Sequence, residues 1–109
     1  MTPALFLAQR LSAVMLAAAV AVHLATIFYA TRAGLTAGDI LVRTHGSLGV
    51  FVFYSVFVLA VAVHAPIGLR NVVREWTPWR GRSLDAVLIV FAFALLALGM
   101  RAVIAVCVA

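Results

Sequence analysis

Charge is scarce in this sequence: 10% of its 109 residues are charged, against roughly a quarter in soluble globular domains. With 67% hydrophobic residues and a mean hydropathy of +1.23, that scarcity excludes an ordinary water-soluble domain and places the chain in a bilayer. Lysine is absent, and all eight cations are arginines scattered at the ends of apolar runs. Without a basic stripe, the net charge of +5 reads as membrane topology and partner contacts, with no nucleic acid among the expected partners. A single cysteine, Cys107, excludes an internal disulfide and reads as a packing residue near a helix end. Of the three acidic residues, Asp39 and Glu75 lie in the polar links and Asp85 at the very start of the third apolar run, so none stands deep inside a span. That absence argues against a small multidrug-type transporter, which needs four spans and an intramembrane carboxylate to exchange a proton for its substrate.

What is present is a set of three apolar segments, 11–30, 46–69 and 84–106, joined by polar links. A span needs about 20 apolar residues, so three transmembrane helices use nearly the whole chain and leave no room for a soluble catalytic domain. The first run could be mistaken for a signal peptide, but it continues through His23 to Tyr29 and outlasts the roughly 7–15 residues of an h-region. Expected, therefore, is an all-α integral membrane protein forming one transmembrane domain. The second link, 70–83, carries Arg70, Arg74, Arg80 and Arg82 with Trp76 and Trp79, which suit an interfacial belt. Ser83 is the expected N-cap of the third helix, with Asp85 in its first turn. Arg10 and the arginines of the second link outnumber Arg32 and Arg43 on the other side. The positive-inside rule then sets the N-terminus in the cytoplasm and the C-terminus outside, in the inner membrane.

Imidazoles inside hydrocarbon are costly and mark a functional site or a polar contact between helices. His23 and His64 both lie well inside their segments. At 1.5 Å per residue, His23 stands roughly 20 Å from Arg10 at the cytoplasmic end and His64 about 9 Å from Arg70 at the same face, a difference in depth of about 10 Å. Two axial ligands of one haem iron must face each other at similar depth, so these two are expected to pair with histidines of a second chain. Three helices then form half of a six-helix haem-binding bundle. Gly46, Phe53, Phe57, Ala60, His64 and Gly68 share one face of the second segment, a candidate wall for a flat ring, and Pro66 can kink the helix nearby. On the first segment Ser12, Ala19, His23, Thr26 and Ala30 share a face of mostly small residues. Arg10, Arg70 and Arg74 are the candidate cations for haem propionates. His45, in "RTHG", is a weaker candidate for ligation or for contact with a propionate or quinone. A haem-free anchor, with the histidines bonding neighbouring helices, is the alternative reading.

Two stretches carry a family resemblance. "QRLSAVMLAAAVAVH" is similar to the first-helix pattern of the cytochrome b membrane-anchor subunits of succinate:quinone oxidoreductases (succinate dehydrogenase and fumarate reductase). There an arginine followed by a small hydroxyl residue begins the helix, and a haem-ligating histidine follows thirteen positions later in members with two haems; Arg10, Ser12 and His23 match. "VHAPIGLRN" resembles the second-helix motif His-x-x-x-Gly-[hydrophobic]-Arg, and the resemblance makes His64 a ligand of haem b. It implies one or two haems per paired anchor, a quinone substrate, and soluble iron–sulfur and flavoprotein subunits that perform the dicarboxylate chemistry. It also implies a second anchor chain or a homodimer. The chain departs from the pattern in having Phe6 and Gln9 where single-haem relatives often carry a quinone-binding serine, and Ala13 where a glycine is usual. Arg10 is the quinone contact that the resemblance leaves.

Overall fold

The computed structural model describes residues 2–108, and among them every regular element is helical. Helix α1 spans Pro3–Ala33, eight residues earlier at its start than the apolar run. Thr2 and Pro3 explain that start: the Thr2 hydroxyl accepts the Leu5 N–H at 3.2 Å, and proline at the first helical position loses only an N–H that has no intrahelical partner. Gly34 ends the helix in the left-handed region, φ 68°, where a glycine carries no Cβ penalty.

The first link contains a helix the apolar pattern did not announce. Helix α2, Ala37–Thr44, is closed at its start by a reciprocal capping box: the Thr36 side chain accepts the Asp39 N–H and the Asp39 carboxylate accepts the Thr36 N–H. Eight residues lie below the length at which an apolar period becomes legible, but the Thr-x-x-Asp spacing is the sequence signal for it. The helix is tied to the chain's far end, where the Thr44 hydroxyl donates to the Val106 carbonyl at 3.0 Å and the Gly46 N–H to the Cys107 carbonyl at 2.8 Å. These bonds satisfy carbonyls that the end of the last helix leaves unpaired.

Helix α3, Leu48–Trp76, begins at the Ser47 cap and runs on through Arg70 and Arg74. Two expectations change here. Gly46 lies outside the helix with φ 76° and is not part of the His64 face, and the second link shrinks to 77–81. Pro66 sits buried inside the continuous helix. Helix α4, Arg82–Cys107, is capped by Gly81 at φ 92°, not by Ser83. The Ser83 hydroxyl instead accepts the Trp79 ring N–H at 2.8 Å. Asp85 does occupy the first turn.

The three long helices are each long and apolar enough to cross a membrane, so the chain has the character of a multi-pass membrane protein. Consecutive long helices run antiparallel, and α3 lies in the middle with α1 and α4 packed along it rather than on each other. In lipid the hydrophobic effect does not drive helices together, so close packing of small residues must hold them. Gly99 of α4 shows this directly: a Cβ there would stand 2.6 Å from a Val58 methyl of α3. On α1 the positions of reduced exposure include Leu5, Gln9, Ser12, Leu16, Ala19 and His23, alternating steps of four and three. That 3.5-residue repeat is the seam of a shallow left-handed crossing. Outside the seams, side chains such as Phe28, Phe93 and Leu98 are more than 60% exposed, a surface suited to lipid or to another apolar helix.

Candidate functional site

Gln9 packs on Gly68, Ser12 meets His64 and His23 meets Tyr54, so the α1–α3 contacts step in opposite directions along the two helices. At 1.5 Å per residue these contacts set His64 and His23 about 15 Å apart along the pair. The offset is larger than expected because Arg70 lies beyond Gly68, which is level with Gln9; Arg10 and Arg70 do not share one depth. The two histidines therefore do not face each other within the chain.

At the arginine-rich end, Ser12 is the buried polar residue, 4% exposed. Its hydroxyl donates to the Gln9 carbonyl at 3.1 Å and stands 3.3 Å from His64 Nδ1. A serine hydroxyl has one proton. That proton serves one of the two contacts: either the hydroxyl donates to His64 Nδ1 or, while it donates to Gln9, His64 donates from Nδ1 and keeps an Nε2 lone pair for a ligand. Gln9 Oε1 is buried with no hydrogen-bond partner.

The arginines do not gather around this pair. Arg10 lies two residues from Ser12 and so on nearly the opposite side of α1, exposed, its guanidinium 5.5 Å from the centre of the Phe6 ring. Arg70 pairs with Asp85 at 3.4 Å, joining α3 to the start of α4. With the Asp85 side chain 54% exposed, solvent screening holds that pair to about 0–1 kcal/mol. Arg74 is half-buried, one turn beyond Arg70 on α3, and its backbone carbonyl accepts from Arg80.

Toward the other end, His23 Nδ1 and the Tyr54 hydroxyl lie 2.9 Å apart. The imidazole meets the rings of Tyr54 and Phe57 edge to face, with centroids 5.5 and 5.7 Å away, and Phe53 packs on both aromatic neighbours. Phe53 and Phe57, expected on the His64 face, thus gather around His23. Two cavities adjoin this histidine. The larger, about 720 Å³, lies between α1, α2 and α3 with Thr26, Tyr29, Arg43 and Thr44 in its lining. The smaller, about 450 Å³, opens toward Leu95 and Gly99 of α4. Both fall within the 300–1,000 Å³ range of small-molecule sites. Neither reaches His64, and His45 lines neither, standing exposed as the C-cap of α2.

Tyr54 and Arg43 were missed as candidates. Tyr54 sits ten residues before His64, with nothing local to mark it, and only the antiparallel register sets it opposite His23. Arg43 had a local signal, because one turn after Asp39 it could form an ion pair at i,i+4. The structure resolves the choice differently: Asp39 bonds the Thr36 N–H and hydroxyl-capped turn, which together with the Arg43 charge lower its pKa. The Arg43 guanidinium lies 5.9 Å from the centre of the Tyr29 ring.

Among the described residues no three His, Cys, Asp or Glu side chains converge, so this chain alone does not build a bare-ion cage. A porphyrin supplies four ligands to its iron and asks the protein only for axial imidazoles. Each histidine has Nδ1 engaged by a hydroxyl of the neighbouring helix, and a partner on one ring nitrogen orients a ligating imidazole. The donor set therefore fits such a group. No protein-family model matches this chain, and no match was found among curated proteins or solved structures.

Proposed function

We propose that this chain is a membrane-anchor cytochrome b subunit of a succinate:quinone oxidoreductase, connecting an iron–sulfur subunit with membrane quinone through b-type haem. The observation that carries the reading is the Ser12–His64 pair, because a buried hydroxyl beside Nδ1 orients the imidazole as the partners of metal-ligating histidines do. His64 and His23 are the residues that would hold the haem iron. Since they lie about 15 Å apart along the helices, each meets a histidine from a second three-helix chain at its own depth, completing a six-helix bundle. The exposed apolar faces of α1 and α4 are suited to that partner. Bound haem would supply a one-electron carrier in a low-dielectric bundle.

The chain's own residues have narrower tasks. Ser12 and Tyr54 hold the imidazoles in place, and the aromatic cluster at Phe53 and Phe57 keeps water from His23. Arg10, exposed on the side of α1 away from α3, is free to meet quinone or propionate. Arg74 is the remaining propionate candidate at that end; Arg70 is already held by Asp85. On this reading the arginine-rich end faces the cytoplasm, where the iron–sulfur and flavoprotein subunits carry out succinate oxidation or fumarate reduction.

A haem-free anchor is the second reading, favoured by the fact that both histidines already have hydrogen-bond partners within the chain. A reduced-minus-oxidised visible spectrum of the purified complex, with haem quantified per chain, separates the two. The cytochrome reading expects b-type absorbance that falls in His64→Ala and in His23→Ala. Absence of that absorbance in the unsubstituted complex sinks it, and loss in His64→Ala alone reduces it to one haem.

A further inference from the structure

The cavity beside His23 has a chemistry of its own, independent of any haem. Its walls are apolar, and the polar groups along them are directed into the protein. The Thr26 hydroxyl donates to the His23 carbonyl at 2.7 Å, the Thr44 hydroxyl donates to the Val106 carbonyl, and His23 is bonded to Tyr54. The formal charge in its lining is Arg43, which sits within 4 Å of no carboxylate among the described residues, although Asp39 lies one turn away. Asp39 is occupied in the capping box, and Arg43 extends over Tyr29. Tyr29 and Ile27 are 59% and 47% exposed, so the cavity opens to the surroundings of the helix bundle. Its level is that of the helix ends, where α2 lies against the end of α4 and the apolar spans give way to polar residues.

An apolar slot that enters the bundle from headgroup depth, with a guanidinium at its mouth that makes no ion pair within 4 Å among the described residues, is complementary to an amphiphile with an anionic head and a hydrocarbon body. We infer that this cavity binds an anionic phospholipid, its phosphate on Arg43 and one acyl chain laid between α1 and α3 toward His23. About 12 Å of α1, from Val22 to Ala30 at 1.5 Å per residue, is then covered by that chain. The lipid fills the space where α1 and α3 do not close on each other and ties α2 to the membrane-spanning helices. This inference requires only that the chain spans a membrane, so it stands or falls separately from the cytochrome reading.

The test uses the full chain, in its native complex, reconstituted in phosphatidylcholine vesicles doped with spin-labelled phosphatidylglycerol or, in parallel, spin-labelled phosphatidylcholine. The motionally restricted lipid is measured for each. The expected result is a preference for the anionic lipid that drops about fivefold in Arg43→Gln, the effect of one arginine at a membrane surface, and survives in Arg43→Lys. Ala30→Phe, which places a ring in the cavity, is expected to lower the restricted anionic lipid as well. Arg32→Gln, at the same end but directed over Phe28 at 4.9 Å, is expected to leave the preference intact. Equal restriction of both lipids by the unsubstituted protein, an unchanged preference in Arg43→Gln, or an equal loss in Arg32→Gln overturns the inference.

Discussion

The two ends of the α1–α3 pair are built on opposite plans. At the arginine-rich end the helices touch: Gln9 lies against the backbone at Gly68, and Ser12 is buried against His64. At the other end they part around a cavity of about 720 Å³, and a longer side chain, Tyr54, spans the gap to His23. One histidine is thus held by a serine across a close contact and the other by a tyrosine across an open one. Residue size sets the difference, since small side chains permit backbone approach and a phenol forces separation while still reaching a partner.

This contrast is broken first by deleting the two hydroxyls. If the imidazoles ligate haem, Ser12→Ala and Tyr54→Phe each remove the group that orients a ligand, and haem affinity is expected to fall about 10–100-fold in each variant. Haem retention during dilution, followed by visible absorbance, measures it. Ser12→Ala should have the larger effect, because Ser12 is buried where the two helices touch, so its loss also opens the close contact beside His64. A pair of variants in which neither substitution changes haem retention would show that the hydroxyls are packing partners only.

A smaller effect is expected from glycines at the two ends. A Cβ at Gly68 would stand 3.3 Å from Gln9 Nε2, whereas one at Gly49 would have nothing nearer than Ser47 Oγ at 4.0 Å. Gly68→Val is expected to cost about 1–3 kcal/mol through overpacking, read as a shift in the unfolding midpoint in detergent. Gly49→Ala is expected to be neutral or to stabilise by up to about 1 kcal/mol, from helix propensity. Equal costs at both sites would mean that the open end closes in the membrane.

The smallest effect concerns α2. The backbone and side-chain hydrogen bonds from Thr36, with the nearby Arg43 charge, hold the Asp39 pKa below the usual carboxylate value. A carboxylate whose pKa is depressed by folding stabilises the folded state above its unfolded pKa, and that contribution disappears as pH falls through the folded one. Amide exchange in α2 is therefore expected to speed up as pH drops below the ordinary aspartate range, after correction for intrinsic exchange. In Asp39→Asn the extra acid-dependent change should vanish.

Much of the architecture was legible before any tertiary contact. Three long apolar runs and the acidic first turn at Asp85 are local patterns, and local patterns fix helices; the Thr36 cap of α2 is local too, but it was not read as a helix start. The ends were misjudged where hydropathy and helicity part company: Arg70, Arg74 and Trp76 are polar or interfacial yet continue α3, because a helix needs backbone hydrogen bonds, not apolar side chains. Gly81 replaced Ser83 as a cap, and the Ser83 hydroxyl was bonded to Trp79 four residues before it, a contact that propensity does not encode.

The candidate site divides in the same way. The sequence by itself determined that the chain has three runs long and apolar enough to cross a bilayer, that His23 and His64 lie within them and that they stand at different levels, since each follows from composition, position and the rise of a helix. Only the tertiary structure decided which side chains meet them. The antiparallel register set Ser12 on His64 and Tyr54 on His23, and the packing opened a cavity that brings in Arg43 from a helix too short to read. Those pairings join residues 31 and 52 positions apart, and the packing of one helix against another, which sets them, is not a property of either helix alone.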